Sequence, residues 1–138
     1  MKKMTILTLL IFLFLQVKAP AYKALFIERA EAINYYDALI KALTWVESRN
    51  DNYALNVSEQ AYGAFQIRPI RIEHYNRLTG SHYLPWDCFD YEISRKVFLY
   101  FAHNQDYEMA SRNWNGKGRK TIQYWNSVKA RLKRISNR

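Results

Sequence analysis

The feature that most constrains this chain is an apolar stripe that ends in an acid. Tyr36, Leu39, Ile40, Leu43 and Val46 recur at helical spacing, Asn34 is a plausible cap at the start, and Asp37 follows three residues on. A helix with one apolar face must bury that face against other elements. At 3.6 residues per turn, Glu47 lies three turns beyond Tyr36 and so falls on the same stripe. The pattern therefore aims a carboxyl group toward the interior or toward a cleft opening onto it. Burial there disfavours the charged form and raises the pKa, as a general acid working near neutral pH requires. A glutamate at a helix end ordinarily reaches solvent, so Glu47 acquires a role only if other segments wall a cleft around it.

The chain that must supply those walls has 138 residues. Met1-Lys2-Lys3 is basic, Met4 to Val17 is almost wholly apolar, and Ala19-Pro20-Ala21 matches an A-x-A cleavage site. The apolar run is shorter than the roughly 20 residues of a membrane span. Residues 1–21 read as a secretory signal peptide, the alternative being an uncleaved N-terminal anchor, with one domain over residues 22–138. The expected location is exported, either periplasmic or extracellular. Removing Lys2, Lys3 and Lys18 lowers the formal net charge from +9 to about +6. A basic exported protein suits an anionic wall polymer or an envelope-spanning assembly, and export argues against nucleic acid. With Cys88 as the single cysteine, no internal disulfide can form and the fold must rest on its core. About 117 residues suffice for one core, and a monomer is expected.

After the first helix, Asn50-Asp51-Asn52 signals a turn, and from Tyr53 to Ile67 the helical period is lost. Alternation there predicts a short extended segment or hairpin, with Tyr62 and Gln66 on one side and Phe65 and Ile67 on the other. Gly63 marks a bend or a close backbone approach, to a ligand among other partners. Pro69 opens and Gly80 closes a further helix. Asp90 caps the next, with Ile93, Val97, Tyr100 and Phe101 inward. Another begins near Asp106, carries Tyr107, Ala110 and Trp114 on one face, and stops at Asn115-Gly116. The last turns Ile122, Trp125, Val128, Leu132 and Ile135 inward and Lys129, Arg131, Lys133 and Arg134 mostly outward. Residues 22–33 read as a short leading helix without a function. The class is mainly α with a short extended or hairpin insert.

Neither a metal nor another cofactor is expected. His74, His82 and His103 show no metal-ligand spacing, and Gly116-Lys117-Gly118 lacks the rest of a phosphate loop. Cys88 reads as a small buried residue. Four Trp, eleven Tyr and seven Phe suit a core, and equally a groove that stacks against sugar rings.

Three segments bear on Glu47: Glu47-Ser48-Arg49-Asn50, then Ser58-Glu59-Gln60-Ala61-Tyr62-Gly63-Ala64-Phe65-Gln66-Ile67-Arg68-Pro69, and Asn113-Trp114-Asn115-Gly116. Their order and spacing resemble the catalytic domain of the soluble lytic transglycosylases, of the goose-type lysozyme superfamily, over roughly residues 34–128. Tyr124-Trp125, with Val128 following, is similar to the family's closing helix. Gln60 stands where the family usually has Gly, Ala64-Phe65 replaces Leu-Met, and Trp114 replaces a Tyr that helps place the acid; an indole N–H can only donate.

The resemblance implies a lysozyme-like helical domain with the insert beside a catalytic cleft. It implies Glu47 as catalytic acid/base and Ser48, Ser58, Tyr62, Gly63, Phe65, Gln66, Trp114 and Asn115 as substrate-binding residues. The implied substrate is the peptidoglycan glycan strand, cleaved at the MurNAc–GlcNAc β-1,4 bond to give 1,6-anhydro ends. Asp51 and Glu59 are the nearest further carboxylates, and neither matches a motif position. Two alternatives stay open: a goose-lysozyme-like hydrolase, and a wall-binding or assembly domain with little catalysis.

Overall fold

A computed structural model describes residues 35–137. The expected signal peptide, the expected leading helix over 22–33 and the cap proposed at Asn34 lie outside the described residues. The fold is mainly helical with one short hairpin. Helix α1 (35–48) is followed by strands β1 (Leu55–Asn56) and β2 (Ala61–Tyr62), then by α2 (Pro69–Thr79) and a 3-10 turn, Pro85–Phe89. Helices α3 (Tyr91–Ala102), α4 (Tyr107–Asn115) and α5 (Lys120–Ser136) complete it.

Helix boundaries follow local chemistry. Pro69 occupies the first turn of α2, and Gly80 closes it in the left-handed region at φ 71°, donating to the Asn76 carbonyl at 2.8 Å. Asp90 caps α3 by accepting from the Glu92 and Ile93 amides at 2.8 and 3.0 Å, and Asp106 caps α4 through the Met109 amide at 2.7 Å. Helix α1 unwinds through Arg49 and Asn50, both at positive φ.

The core forms where α1 meets α3, α4 and the segment after β2. Leu39, Ile40 and Leu43 of α1 are buried with Phe65, Phe98 and Trp114, whose rings pack edge to face or tilted at centroid separations of 5.1–6.4 Å. The Tyr36 hydroxyl sits among the Ala102 and Gln105 carbonyls and accepts from the Gln105 amide, pinning α1 to the end of α3. Asp37 pairs with Arg95 of α3 at 3.1 Å.

Three expectations are corrected. In α3 the buried face is Ser94, Val97, Phe98 and Ala102, while Tyr100 is 42% exposed. In α5 Ile122 is 47% exposed, and Arg131 turns inward so that its guanidinium lies 4.3 Å from the centre of the Trp45 ring. Arg49 covers that ring as well, at 3.8 Å. Third, the alternation proposed through residue 67 ends at Tyr62. β1 and β2 pair antiparallel, Leu55 opposite Tyr62 and Asn56 opposite Ala61. The chain then folds into a tight loop in which Tyr62 and Ile67 exchange amide and carbonyl bonds at 2.9 and 3.0 Å. Positive φ at Gly63 and Gln66 breaks the two-residue period, so Ala64, Phe65 and Ile67 are all buried.

Candidate functional site

Glu47 occupies the next-to-last position of α1, and the Tyr124 hydroxyl of α5 donates to its Oε1 at 2.6 Å. The residue as a whole keeps some exposure, but its carboxyl group is largely enclosed. That enclosure raises its pKa from 4.5 to about 7. The Tyr124 hydrogen bond and the positive charges of Arg68 and Arg71 act the other way, while the Glu59 charge adds to the rise. Burial, together with the Glu47 charge, pushes the Tyr124 hydroxyl well above its ordinary value, so it stays a donor. The result is a carboxyl group that carries its proton for about half the time near pH 7, held in one orientation.

The neighbouring serine has a structural task. Ser48 Oγ donates to the Ala64 carbonyl at 2.9 Å, lies 3.1 Å from the Thr44 carbonyl, and accepts from the Asp51 amide at 3.1 Å. It thereby clamps the Tyr62–Ile67 loop onto the end of α1. Gln66 closes the same loop from inside, its Nε2 donating to the Gly63 carbonyl at 2.9 Å and reaching the Ala54 carbonyl at 3.3 Å. On the far side, Trp114 Nε1 donates to the Phe65 carbonyl at 3.2 Å. The indole N–H that stands where the resemblance expects a tyrosine thus secures the loop backbone.

Other candidates are placed differently from the expectation. The Phe65 side chain is fully buried in the core and offers no groove surface. Trp114 is also buried, with Arg71 lying 4.3 Å from its ring centre. The close approach that requires Gly63 is to protein, not ligand: a Cβ there would meet the Cys88 carbonyl oxygen at 1.9 Å. Tyr62 is half-buried edge-on to Phe89, at 5.7 Å. Ser58 sits exposed in the connection between the strands, donating to Asn56 Oδ1 at 2.8 Å, and Asn115 is exposed at the end of α4. The loop, Ser48 and Glu47 are therefore brought together, whereas no contact joins Ser58 or Asn115 to the acid among the described residues.

Sequence reasoning missed two partners of Glu47. Tyr124 had a readable signal: it lies four residues before buried Val128 and one turn after buried Thr121, on the inward face of α5. Arg71 had none, because a cation two residues after a helix-opening proline ordinarily faces solvent. Its guanidinium instead donates to the Trp114 carbonyl at 2.9 Å and lies over two aromatic rings. Glu59, a candidate second carboxylate, is half-exposed and engaged by Arg68.

Cys88 is fully buried, and burial with the adjacent Asp87 pushes its thiol up to about 12, so it carries no nucleophile. Among the described residues no group of three His, Cys, Asp or Glu could hold a metal ion, and no helix is long and apolar enough to cross a membrane.

No protein-family model, curated protein or solved structure matches the chain.

Proposed function

We propose that this protein is a lytic transglycosylase that cleaves the MurNAc–GlcNAc β-1,4 bond of peptidoglycan, with Glu47 as its single acid/base. The observation that carries the reading is the carboxyl of Glu47, raised to about 7 by enclosure and oriented by the Tyr124 hydroxyl at 2.6 Å. A group with that pKa donates and recovers a proton at the same ambient pH, as one residue serving both steps must. The substrate lies outside the cytoplasmic membrane, so the reading entails export.

In the first step the protonated Glu47 gives its proton to the glycosidic oxygen as the C1–O bond breaks. The leaving sugar takes the bonding electron pair. The carbonyl oxygen of the substrate's own N-acetyl group then bonds to C1 and holds the positive charge. In the second step the Glu47 carboxylate removes the proton from the 6-hydroxyl, O6 bonds to C1, and the bond from C1 to the acetamido oxygen breaks. The acid is regenerated, no water is consumed, and the product carries a 1,6-anhydro ring. Tyr124 keeps one carboxylate oxygen occupied throughout, leaving the other to carry the proton.

One observation favours a hydrolytic second reading. The Glu59 charge reaches Glu47, and a second carboxylate that activates water is the usual glycosidase arrangement. Against it stands the engagement of Glu59 with Arg68 on the half-exposed loop.

Release of soluble fragments from purified sacculi tests the proposal. General acid–base catalysis contributes about 10²- to 10⁴-fold, so Glu47→Gln should reduce release by at least 100-fold. Equal release by both proteins would remove Glu47 from the chemistry.

A further inference from the structure

Beside Arg71 lies a cavity of about 590 Å³, between α2, α3, α4 and the turn at Gly116–Lys117. That volume is in the range of small-ligand sites. Its wall carries Arg71, His74, Arg77 and Lys117 and not one carboxylate. The spacing of 71, 74 and 77 sets three of these on one slanting row of α2, while Glu73, the helix's only acid, lies off that row. Among the described residues, Arg71, Arg77 and Lys117 take part in no ion pair. The floor is apolar: Phe98, Phe101, Ala102 and Ala110, with Trp114 under the Arg71 guanidinium.

Arg71 is already immobilised by the Trp114 carbonyl at 2.9 Å and the Asn113 carbonyl at 3.4 Å. The rim is braced too, because Asn113 Nδ2 donates to Gln105 Oε1 at 2.9 Å and Gln105 Nε2 donates to the Phe101 carbonyl at 2.7 Å. A fixed guanidinium above an aromatic floor is set to receive a carboxylate at little ordering cost. The flanking Arg77 and Lys117 offer a second anion position, and the floor accepts small aliphatic groups between the two.

We infer that this cavity binds a short peptide bearing two carboxylates and small aliphatic side chains, and that its source is the peptide stem of the wall polymer. The assignment of that source rests on the proposed function. The glycan itself is largely uncharged, so the carboxylates of the stem are what a cationic pocket beside the acid can recognise. A long polyanion fits less well, because the charges gather around one pocket rather than along a continuous track. Arg71 belongs to both places, acting electrostatically on Glu47 from the cavity wall. A stem seated there holds its glycan in register with the acid.

The test is a titration of the protein with N-acetyl-L-alanyl-D-glutamate, followed by backbone amide NMR, with the diamide of the same peptide as control. Shifts should cluster in α2 and in residues 113–117. Amidating both carboxylates should weaken binding by about tenfold or more, the size of one lost charge-assisted contact. The double variant Arg77→Glu, Lys117→Glu should lose a similar factor; both residues are exposed, and an unchanged amide spectrum elsewhere verifies its fold. Equal affinity for the diamide, shifts located elsewhere, or no binding at millimolar peptide would overturn the inference. Tighter binding of polyglycerol phosphate at the same residues would overturn it in favour of a wall polyanion. Failure of Glu47 catalysis would leave this titration intact. Failure of the titration would leave cleavage of peptide-free glycan strands intact.

Discussion

Glu47→Gln should make the protein more stable, and by an amount that depends on pH. The substitution keeps the side chain's shape and its acceptor oxygen for the Tyr124 hydroxyl but deletes the ionisable group. In the folded chain the carboxyl titrates near 7, and in the unfolded chain near 4.5. Below pH 4.5 both states hold the proton and the wild-type acid costs nothing. Between 4.5 and 7 the unfolded chain has released its proton while the folded chain keeps it, so wild-type stability falls by about 1.4 kcal/mol for each pH unit. Above 7 both states are ionised and the cost levels off at about 3 kcal/mol, somewhat less because the residue keeps some exposure. That is a large fraction of the 5–15 kcal/mol typical of a folded domain. Urea unfolding of both proteins at pH 4.5, 6, 7 and 8 reads the difference from the midpoints. The gap should be smallest at pH 4.5 and widen to about 2–3 kcal/mol by pH 8. A gap independent of pH, or a wild type that gains on the variant as pH rises, would mean that Glu47 is not a buried, high-pKa acid. An acid held at a cost in stability is what a functional site shows when proton chemistry outweighs stability.

Other perturbations test neighbouring parts of the account. Tyr124→Phe removes a bond that holds the Glu47 pKa down. The alkaline limb of the cleavage-rate profile, set by loss of the acid's proton, should therefore move to higher pH, with a stability cost of about 1 kcal/mol. The two substitutions Gly63→Ala and Gly80→Ala separate backbone strain from collision. Both glycines have positive φ, but only at Gly63 does a Cβ meet another atom, the Cys88 carbonyl oxygen at 1.9 Å. Gly80→Ala should cost about 1 kcal/mol, whereas Gly63→Ala should abolish cooperative thermal unfolding in calorimetry. Cys88 should ignore a thiol reagent in the native protein and react at once in urea, because burial alone protects it.

The legible parts of the fold were those written by local chemistry. Pro69 and Gly80 delimit α2, Asp90 and Asp106 start α3 and α4, and the Tyr36–Leu43 stripe marks the buried face of α1. Each signal needs only near neighbours in sequence. The misplaced residues depend on partners far along the chain. Phe98 outcompetes Tyr100 for the interior because Phe65 and Trp114 converge on it, 33 residues earlier and 16 later. Arg131 turns inward because Trp45, on another helix, offers a ring face. For the candidate site the same division holds. An acid aimed inward was readable from helical periodicity, whereas its hydroxyl partner, 77 residues away on α5, went unread. Gly63 was readable as a close approach, but nothing in the sequence named the Cys88 carbonyl as what comes near. Trp114 stands where the resemblance expects a tyrosine, and the hydroxyl that reaches Glu47 comes instead from Tyr124 on a different helix.

The most direct test of single-acid chemistry is the identity of the sugar ends. Sacculi digested in ¹⁸O-labelled water and analysed by mass spectrometry distinguish internal attack by O6 from attack by water. Single-acid chemistry gives 1,6-anhydro ends, one water lighter than reducing ends and free of label, formed by the wild type and by Glu59→Gln alike and lost in Glu47→Gln. Labelled reducing ends from the wild type, abolished in Glu59→Gln, would contradict it and identify a two-carboxylate hydrolase.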